Sequence, residues 1–376
     1  MTRERERVLV AMSGGVDSSV AAAMLVEQGY DVIGATMKLF CYGDEVPDRP
    51  CCSLDSIDDA RRVCETLGVP HYVLNMEDAF GRDVLQNFVS EYARGRTPIP
   101  CVRCNSFTKF RDLLGKADAL DAQWIATGHY ARAVDGELYR GLDPAKDQSY
   151  FLWGIDRAVV SRMLLPVGAL TKAETRARAR ALGLHVVAEK AESQDICFVP
   201  GGDHTVVLAK HLGSGDAALS RGPFLLRDGR QVGEHEGFAR FTIGQRRGLP
   251  GGYAEPMFVT AIRPSDRAVV IGPRDELLGS GIIAREMNWL VREAPGVGAQ
   301  VEVQIRHHAP AARAEIVRVE GDEIELALDE PVSAISPGQS LVLYSGERVL
   351  GGGVIEAGRV EGAMRAVRAQ LPIFAA

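Results

Sequence analysis

The stretch Val8-Leu9-Val10-Ala11-Met12-Ser13-Gly14-Gly15-Val16-Asp17-Ser18-Ser19 decides how the chain begins to fold. An apolar run ends at Met12, a Ser-Gly-Gly turn follows, and a new apolar periodicity starts at Ser18. That pattern predicts strand, tight loop and helix. Two adjacent glycines let the backbone turn sharply and approach a ligand closely. Ser13, Ser18 and Ser19 place hydroxyls beside the amides of a helix N-terminus, where unpaired N–H groups and the positive end of the helix dipole favour an anion. The stretch reads as a phosphate cradle. No Gly-Lys-Ser/Thr closes it, so it is not of the Walker type.

Outward from this loop, strands and helices alternate. A helix over residues 19–28 ends at Gly29, a strand covers 31–37, and a helix runs from Ser56 to Leu67, stopped by Gly68. A strand follows at 71–74, a helix at 78–94, and a proline-punctuated loop at 97–105. A helix from about Phe107 leads to a strand at 124–127. This alternation predicts a doubly wound parallel sheet, with ligands beyond the strand carboxyl ends at the switch point. Ser13, Met37 and Gly128 all fall at such ends and are expected to converge. A hairpin is expected around Asp135-Gly136, and a capping box, Thr171 to Glu174, opens a helix over 171–182. That helix carries Arg176, Arg178 and Arg180, which read equally as a solvated surface or as partners for RNA phosphates.

From about Gly213 the helical periodicity gives way to short alternating runs. Segments at 222–234 and 238–249 suggest a small middle module. The valine-rich alternation after Gly281, as in Val301-Glu302-Val303-Gln304-Ile305-Arg306, suggests a β-barrel. The expected domains are 1–212, 213–277 and 278–376.

At 376 residues the chain is long enough for two or three domains. It has no apolar run of about 18 residues, so no membrane span is expected. Its charged start, Thr2-Arg3-Glu4-Arg5-Glu6-Arg7, lacks the apolar centre of a signal peptide, which points to the cytoplasm. Seven cysteines without a secretory signal suggest chemistry in a reducing compartment. A formal charge of −7 argues against broad nucleic-acid coating while leaving room for a local basic patch.

Cys101 and Cys104 form C-x-x-C before Asn105, and Cys197 lies in the apolar run Ile196-Cys197-Phe198. Alone, the first reads as a metal or redox motif and the second as a small buried hydrophobe. Beside a phosphate loop they suggest sulfur transfer to an activated carbonyl. A thiol of pKa about 8.5 is only a few per cent thiolate at neutral pH, so a persulfide is the expected nucleophile. A second cysteine can then attack the sulfur–sulfur bond and leave a disulfide.

Ser13-Gly14-Gly15-Val16-Asp17-Ser18 resembles the PP-loop of the ATP pyrophosphatases. Five further stretches extend the likeness over nearly the whole chain: residues 97–105, 126–130 (Ala-Thr-Gly-His-Tyr), 146–151 (Lys-Asp-Gln-Ser-Tyr-Phe), 195–198 (Asp-Ile-Cys-Phe) and 241–249 (Phe-Thr-Ile-Gly-Gln-Arg-Arg-Gly-Leu). Together they resemble the bacterial tRNA-specific 2-thiouridylases, which replace the 2-oxygen of the wobble uridine of tRNA with sulfur.

The resemblance implies ATP binding by Ala11, Met12, Ser13, Gly14, Gly15, Val16, Asp17, Ser18, Met37 and Gly128, with Mg²⁺ accompanying the nucleotide. It makes Cys197 the persulfide carrier and Cys104 the second thiol, and turns Ile99, Pro100 and Cys101 towards the target base. His129, Lys146, Asp147, Gln148, Arg306, His307 and Gln339 match tRNA-contact positions, and Gln245-Arg246-Arg247 reads as a tRNA-orienting turn. The implied partners are tRNA and a persulfide-donating protein, and the enzyme is expected to be a monomer.

Some relatives carry Asn at the position of Ile99 and Asp at that of Cys101, so the thiol here removes a carboxylate from the reacting centre. Asp17 reads as a helix cap, as a Mg²⁺ ligand, or as both. Cys41, Cys51, Cys52 and Cys64 carry no assignment. Three other readings compete: an iron–sulfur cluster on Cys101, Cys104 and Cys197, a ligase acting on a small metabolite, and a zinc-holding RNA-binding protein without enzymatic activity.

Overall fold

The computed structural model describes residues 5–40, 54–190, 196–213 and 215–359. Cys41, Cys51, Cys52 and the stretch 193–195 lie outside them. The chain divides into two compact units. One comprises Met1–Leu85, Pro100–Gly202 and Glu347–Leu350; the other comprises Gln86–Ile99, Asp203–Gly346 and Gly351–Ala376.

In the first unit, β1 (Arg7–Ala11) pairs in parallel with β2 (Asp31–Lys38) on one side, where Leu9 faces Ile33. On its other side it pairs with β4 (Trp124–Ala126), where Leu9 faces Ile125. β3 (His71–Asn75) flanks β2, and β7 (Met163–Leu164) flanks β4. The order is β3-β2-β1-β4-β7, the doubly wound sheet expected. Val8, Leu9 and Val10 are fully buried because helices cover both faces of a central parallel strand. The order reverses across β1 and β4, which puts the switch point at their carboxyl ends.

Helix α1 (Val16–Glu27) is apolar on every side: Val20, Ala21, Ala22, Ala23 and Leu25 are all buried. It is enclosed by the sheet, by α2 (Leu54–Leu67) and by the helix Lys172–Ala181. Its alanines allow that close approach. The capping box forms as expected: Glu174 N donates to Thr171 Oγ1 and Thr171 N donates to Glu174 Oε2 at 2.7 Å.

One expectation is corrected. The C-x-x-C segment is not a loop: an α-turn, Pro100–Arg103, runs into a π-helix, Cys104–Phe110, and then into an α-helix, Arg111–Ala119. Pro100 opens this helix, where its missing N–H costs nothing and its fixed φ suits the first turn. A second π-turn, Gly81–Leu85, interrupts the helix expected over 78–94 and packs against the first. Such irregular turns are frequent at functional sites.

The expected hairpin forms as β5 (Ala131–Val134) and β6 (Glu137–Arg140), turning through Asp135 and Gly136 at φ of 52° and 76°.

The second unit contains a four-stranded sheet of β8 (Gly222–Leu225), β9 (Gln231–His235), β10 (Phe258–Arg263) and β11 (Ala268–Gly272), in the order β10-β11-β8-β9. Phe224 packs edge-on against Phe241 and His235 in its core. The barrel follows, built from β12 (Leu278–Trp289), β13 (Gln300–Gln304), β14 (Ala312–Glu320), β15 (Glu323–Ser333), β16 (Ser340–Ser345) and β17 (Arg348–Arg359). Their order is β12-β15-β14-β13-β16-β17, and β12 pairs again with β17 to close it. Closure removes both sheet edges, and it matches the barrel expected from the alternation.

Candidate active site

The cradle sits where β1 ends. Met12 N still bonds to Ala35 O, and then the chain leaves the sheet. Ser18 Oγ accepts from Ser13 N at 3.1 Å and lies 3.2 Å from Ser13 Oγ, while Ser19 Oγ donates to Gly15 O at 2.9 Å. Gly14 needs to be glycine twice over: its φ is +68°, and a Cβ there would stand 2.2 Å from Ser56 O. Gly128, beyond β4, presses on the other side, where a Cβ would lie 2.5 Å from Ser18 N. Gly15 caps α1 with extended backbone and no side chain. The first-turn amides therefore face the loop rather than a capping oxygen, and the helix field favours an anion there. Met37 lies near the end of β2, paired with Leu74 of β3. Ser13, Met37 and Gly128 thus occupy the carboxyl ends of three adjacent strands.

Asp17 is neither a cap nor an open carboxylate. Lys172 Nζ stands 2.8 Å from both of its oxygens, and Tyr130 Oη donates to Oδ1 at 2.8 Å. Lys172 Nζ also lies 5.6 Å from the centre of the Tyr130 ring. A second cation, Lys190, donates to Gly14 O at 3.0 Å and pairs with Asp59 at 2.9 Å. Neither lysine is apparent as a site residue in the sequence reading. One signal was available: Lys172 opens its helix, an end where the dipole favours acids over cations.

The three assigned thiols differ in access. Cys104 is buried, Cys101 is exposed and Cys197 is intermediate. Cys197 is held by its neighbours: Phe198 and Val199 are buried, and Phe198 meets Phe80 edge-on at 5.3 Å. The short helix that bears Phe80 (Glu77–Phe80) packs on the π-helix that begins at Cys104. Both thiols are thus anchored to one element. Among the described residues no three His, Cys, Asp or Glu side chains are grouped to hold a metal. Cys64 is a core residue whose thiol burial pushes up to about 11, so it is inert.

His129 follows Gly128 and accepts or shares a hydrogen bond with Thr127 Oγ1 at 2.7 Å, with its ring tilted against Phe110. Burial, then the charge of Lys109, lowers its pKa to about 3. It is a neutral imidazole, suited to hydrogen bonding or stacking and not to phosphate charge. Asp147 is buried, accepting from Gly141 N, Ser149 N, Ser149 Oγ and Arg140. Gln148 Oε1 accepts from Tyr130 N at 2.9 Å. These two shape the loop after the hairpin, and Lys146 stands beside them. Arg176, Arg178 and Arg180 bind Ala188 O, Glu27 and Glu189, which favours the surface reading.

The second unit gathers a separate set around Thr97. Its N donates to Pro337 O at 2.9 Å, its Oγ1 meets Thr242 Oγ1 at 3.1 Å, and its O accepts from Gln339 Nε2 at 2.8 Å. Arg96 clamps the same segment to Glu91 and Glu356, each at 2.6 Å. Arg306 bonds to Ala334 O and reaches to within 3.8 Å of where a Gly244 Cβ would stand. Thr97, Thr242, Gly244, Arg306 and Gln339 are therefore brought together within one unit. The rings of His307 and His308 lie 3.7 Å apart beside them in sequence.

A Gly-rich loop at the carboxyl end of a parallel sheet ordered β3-β2-β1-β4-β7, in a chain that continues into two β-modules, defines an α/β protein of the nucleotide-binding class. Family models agree: "tRNA methyl transferase HUP domain" matches residues 6–201, "tRNA methyl transferase PRC-barrel domain" 207–273, and "Aminomethyltransferase beta-barrel domain" 279–355.

Among curated proteins, the chain is 44% identical over 371 residues to the tRNA-specific 2-thiouridylase MnmA of Geobacter metallireducens, covering 96% of this chain and 99% of that one. It is 46% identical to the protein of the same name from Rhodospirillum centenum (93% and 91% covered) and to that from Rickettsia felis (94% and 97%). The chain belongs to the tRNA-specific 2-thiouridylase family. Solved structures similar to it include NMN synthetase from Francisella tularensis, at TM-score 0.34 and 19% identity over 50% of this chain and 66% of that one. Another is a 4-thiouridine synthetase–RNA complex with bound ATP, at TM-score 0.34 and 17% identity over 55% and 49%.

Proposed function

We propose that this enzyme thiolates the wobble uridine of tRNA at its 2-position. The observation that carries the reading is the pairing, in one unit, of the α1 phosphate cradle with a buried thiol, Cys104, on an irregular helix. The 2-oxygen of uracil is an amide-type oxygen and a poor leaving group. It attacks the α-phosphorus of ATP, and pyrophosphate leaves into the cradle of Ser13, Gly14, Gly15 and Ser18. The terminal sulfur of a Cys197 persulfide attacks ring carbon 2, and AMP departs with the oxygen. Cys104 then attacks Cys197 Sγ, freeing the new thiocarbonyl and leaving a Cys104–Cys197 disulfide.

Asp17 is committed to Lys172, so the loop does not fit a resident Mg²⁺ bound through that carboxylate. Any metal enters on the phosphates of ATP.

The domain division 1–212, 213–277 and 278–376 fits this scheme, with chemistry in the first and tRNA orientation in the other two. Arg306 and Gln339 belong to the second function; Cys104 and Cys197, with Ile99, Pro100 and Cys101 facing the target base, belong to the first. A persulfide-bearing protein supplies the sulfur to a monomeric enzyme.

The test incubates the protein with ATP, Mg²⁺, a persulfide donor and unmodified tRNA. AMP, pyrophosphate and 2-thiouridine in the digest are required together. Cys104→Ser and Cys197→Ser should each abolish thiolation, while AMP transfer to tRNA survives in at least one of them. If both variants thiolate normally, the cysteine assignment is wrong.

A further inference from the structure

We propose that Cys101 is a resolving thiol that moves the disulfide from the Cys104–Cys197 pair, neither member of which is exposed, to a Cys101–Cys104 pair with one exposed sulfur, where it can be reduced. The proposal rests on the reaction above, which ends with Cys104 and Cys197 joined. That product is awkward to reset. Cys104 is only 5% exposed and Cys197 only partly exposed, and a reductant must attack one sulfur of the bond in line. Cys101 is exposed and lies three residues ahead on the same helix.

Residues three apart share a helix face, with Cβ atoms about 5–6 Å apart. A disulfide needs Cβ atoms about 3.5–4.5 Å apart. Joining Cys101 to Cys104 therefore asks the first turn to tighten by about 1–2 Å. This is the turn best able to do so: the opening residues of a helix hold no intrahelical N–H bonds, and the regular α-register is lost at Cys104, where the π-helix starts. The same closeness makes the attack intramolecular, which favours it over any bimolecular rival.

The step balances without an outside oxidant. Cys101 loses its proton to solvent and its thiolate attacks Cys104 Sγ. The Cys104–Cys197 bond breaks, and its electron pair leaves on Cys197, which is free to receive the next sulfane sulfur. The Cys101–Cys104 disulfide is then reduced by a dithiol protein, which supplies two electrons and is itself oxidised to a disulfide. Cys101 thereby divides the labour: the buried thiol does the chemistry and the exposed one meets the reductant.

The test uses the full-length protein carrying a persulfide on Cys197, mixed with ATP, Mg²⁺ and one equivalent of unmodified tRNA. The reaction is quenched in acid, alkylated and mapped by peptide mass analysis, and 2-thiouridine is counted in the same sample. The expected result is a Cys101–Cys104 link in the wild type and a Cys104–Cys197 link in Cys101→Ser. With a thioredoxin-type dithiol protein as sole reductant, the ratio of steady-state turnover to first-turnover yield should fall about tenfold or more in Cys101→Ser. A small dithiol such as dithiothreitol, able to enter the site, should restore it. Thiolated tRNA with only Cys104–Cys197, or with no protein disulfide, overturns the proposal while the thiolation itself stands. So does a Cys101→Ser variant whose turnover ratio matches wild type. Absence of 2-thiouridine from the wild type overturns the proposed function, and this inference falls with it.

Discussion

Lys172 Nζ lies 2.8 Å from each carboxylate oxygen of Asp17, so the acid of the phosphate loop is neutralised by a cation 155 residues away in sequence. The side chains are 13% and 31% exposed, so the pair is partly withdrawn from water and worth more than a surface ion pair. Lys172→Met should cost about 1–3 kcal/mol, because the partly buried Asp17 carboxylate loses its charge partner. It should also weaken ATP binding about tenfold, since the loop then repels the triphosphate. Calorimetric titration with ATP and thermal unfolding would measure both, and Lys172→Arg should recover part of each. Unchanged ATP affinity in Lys172→Met would remove the pair from the nucleotide site.

Gly128→Ala should damage nucleotide binding without touching any ligand-facing side chain. The new methyl would meet Ser18 N at 2.5 Å and Asp17 C at 2.6 Å, and both are backbone atoms that cannot swing aside. The cost is about 1–3 kcal/mol in stability, with α1 displaced from the position that aims its amides. Pyrophosphate release in the presence of tRNA should fall sharply. A variant with wild-type release and wild-type unfolding temperature would contradict the packing described.

His129 sets a pH dependence. Its pKa is about 3 in the folded protein against 6.5 when unperturbed. Between those values the unfolded chain binds a proton that the folded chain refuses. Stability therefore falls as pH drops from 6.5 towards 3 and is regained as pH rises. His71 and His235, both lowered chiefly by burial, act in the same direction. His129→Gln should flatten this slope in urea unfolding measured between about pH 4.5 and 6.5. An identical slope would show that His129 titrates normally.

Gln339→Ala should act on tRNA and not on ATP. Its amide holds Thr97 O at 2.8 Å, and Gly338 packs on the same residue. Losing the bond costs about 1 kcal/mol, enough to raise KM for tRNA about fivefold. ATP affinity, measured without tRNA, should not move. A variant with unaltered KM for tRNA would separate Gln339 from tRNA positioning.

Local signals compatible with two conformations are decided by packing. Pro98 and Pro100 read in sequence as loop punctuation, whereas Pro100 serves as a helix opener. Period and turn residues report on local conformation, but a proline is compatible with both outcomes. The π-turns at Gly81–Leu85 and Cys104–Phe110 carry no turn or period signal in the sequence, and they pack against one another. Asp147 matches a tRNA-contact position in sequence, and only the fold shows that its carboxylate also accepts from Gly141 N, Ser149 N, Ser149 Oγ and Arg140.

The amino-acid order alone determined the parallel sheet, the cradle between Val10 and Ser19, the barrel, and the residue types able to transfer sulfur. Each of these rests on short-range periodicity or on adjacent residues, which a linear chain displays openly. Only the tertiary structure decided that Lys172 and Lys190 reach the loop, that Gly128 braces Ser18, that Thr97 is the knot of the second unit, and that Cys104 is buried while Cys101 faces water. Those facts depend on packing between segments far apart in the chain, where burial and charge partners are set by the whole fold and not by any neighbour in sequence.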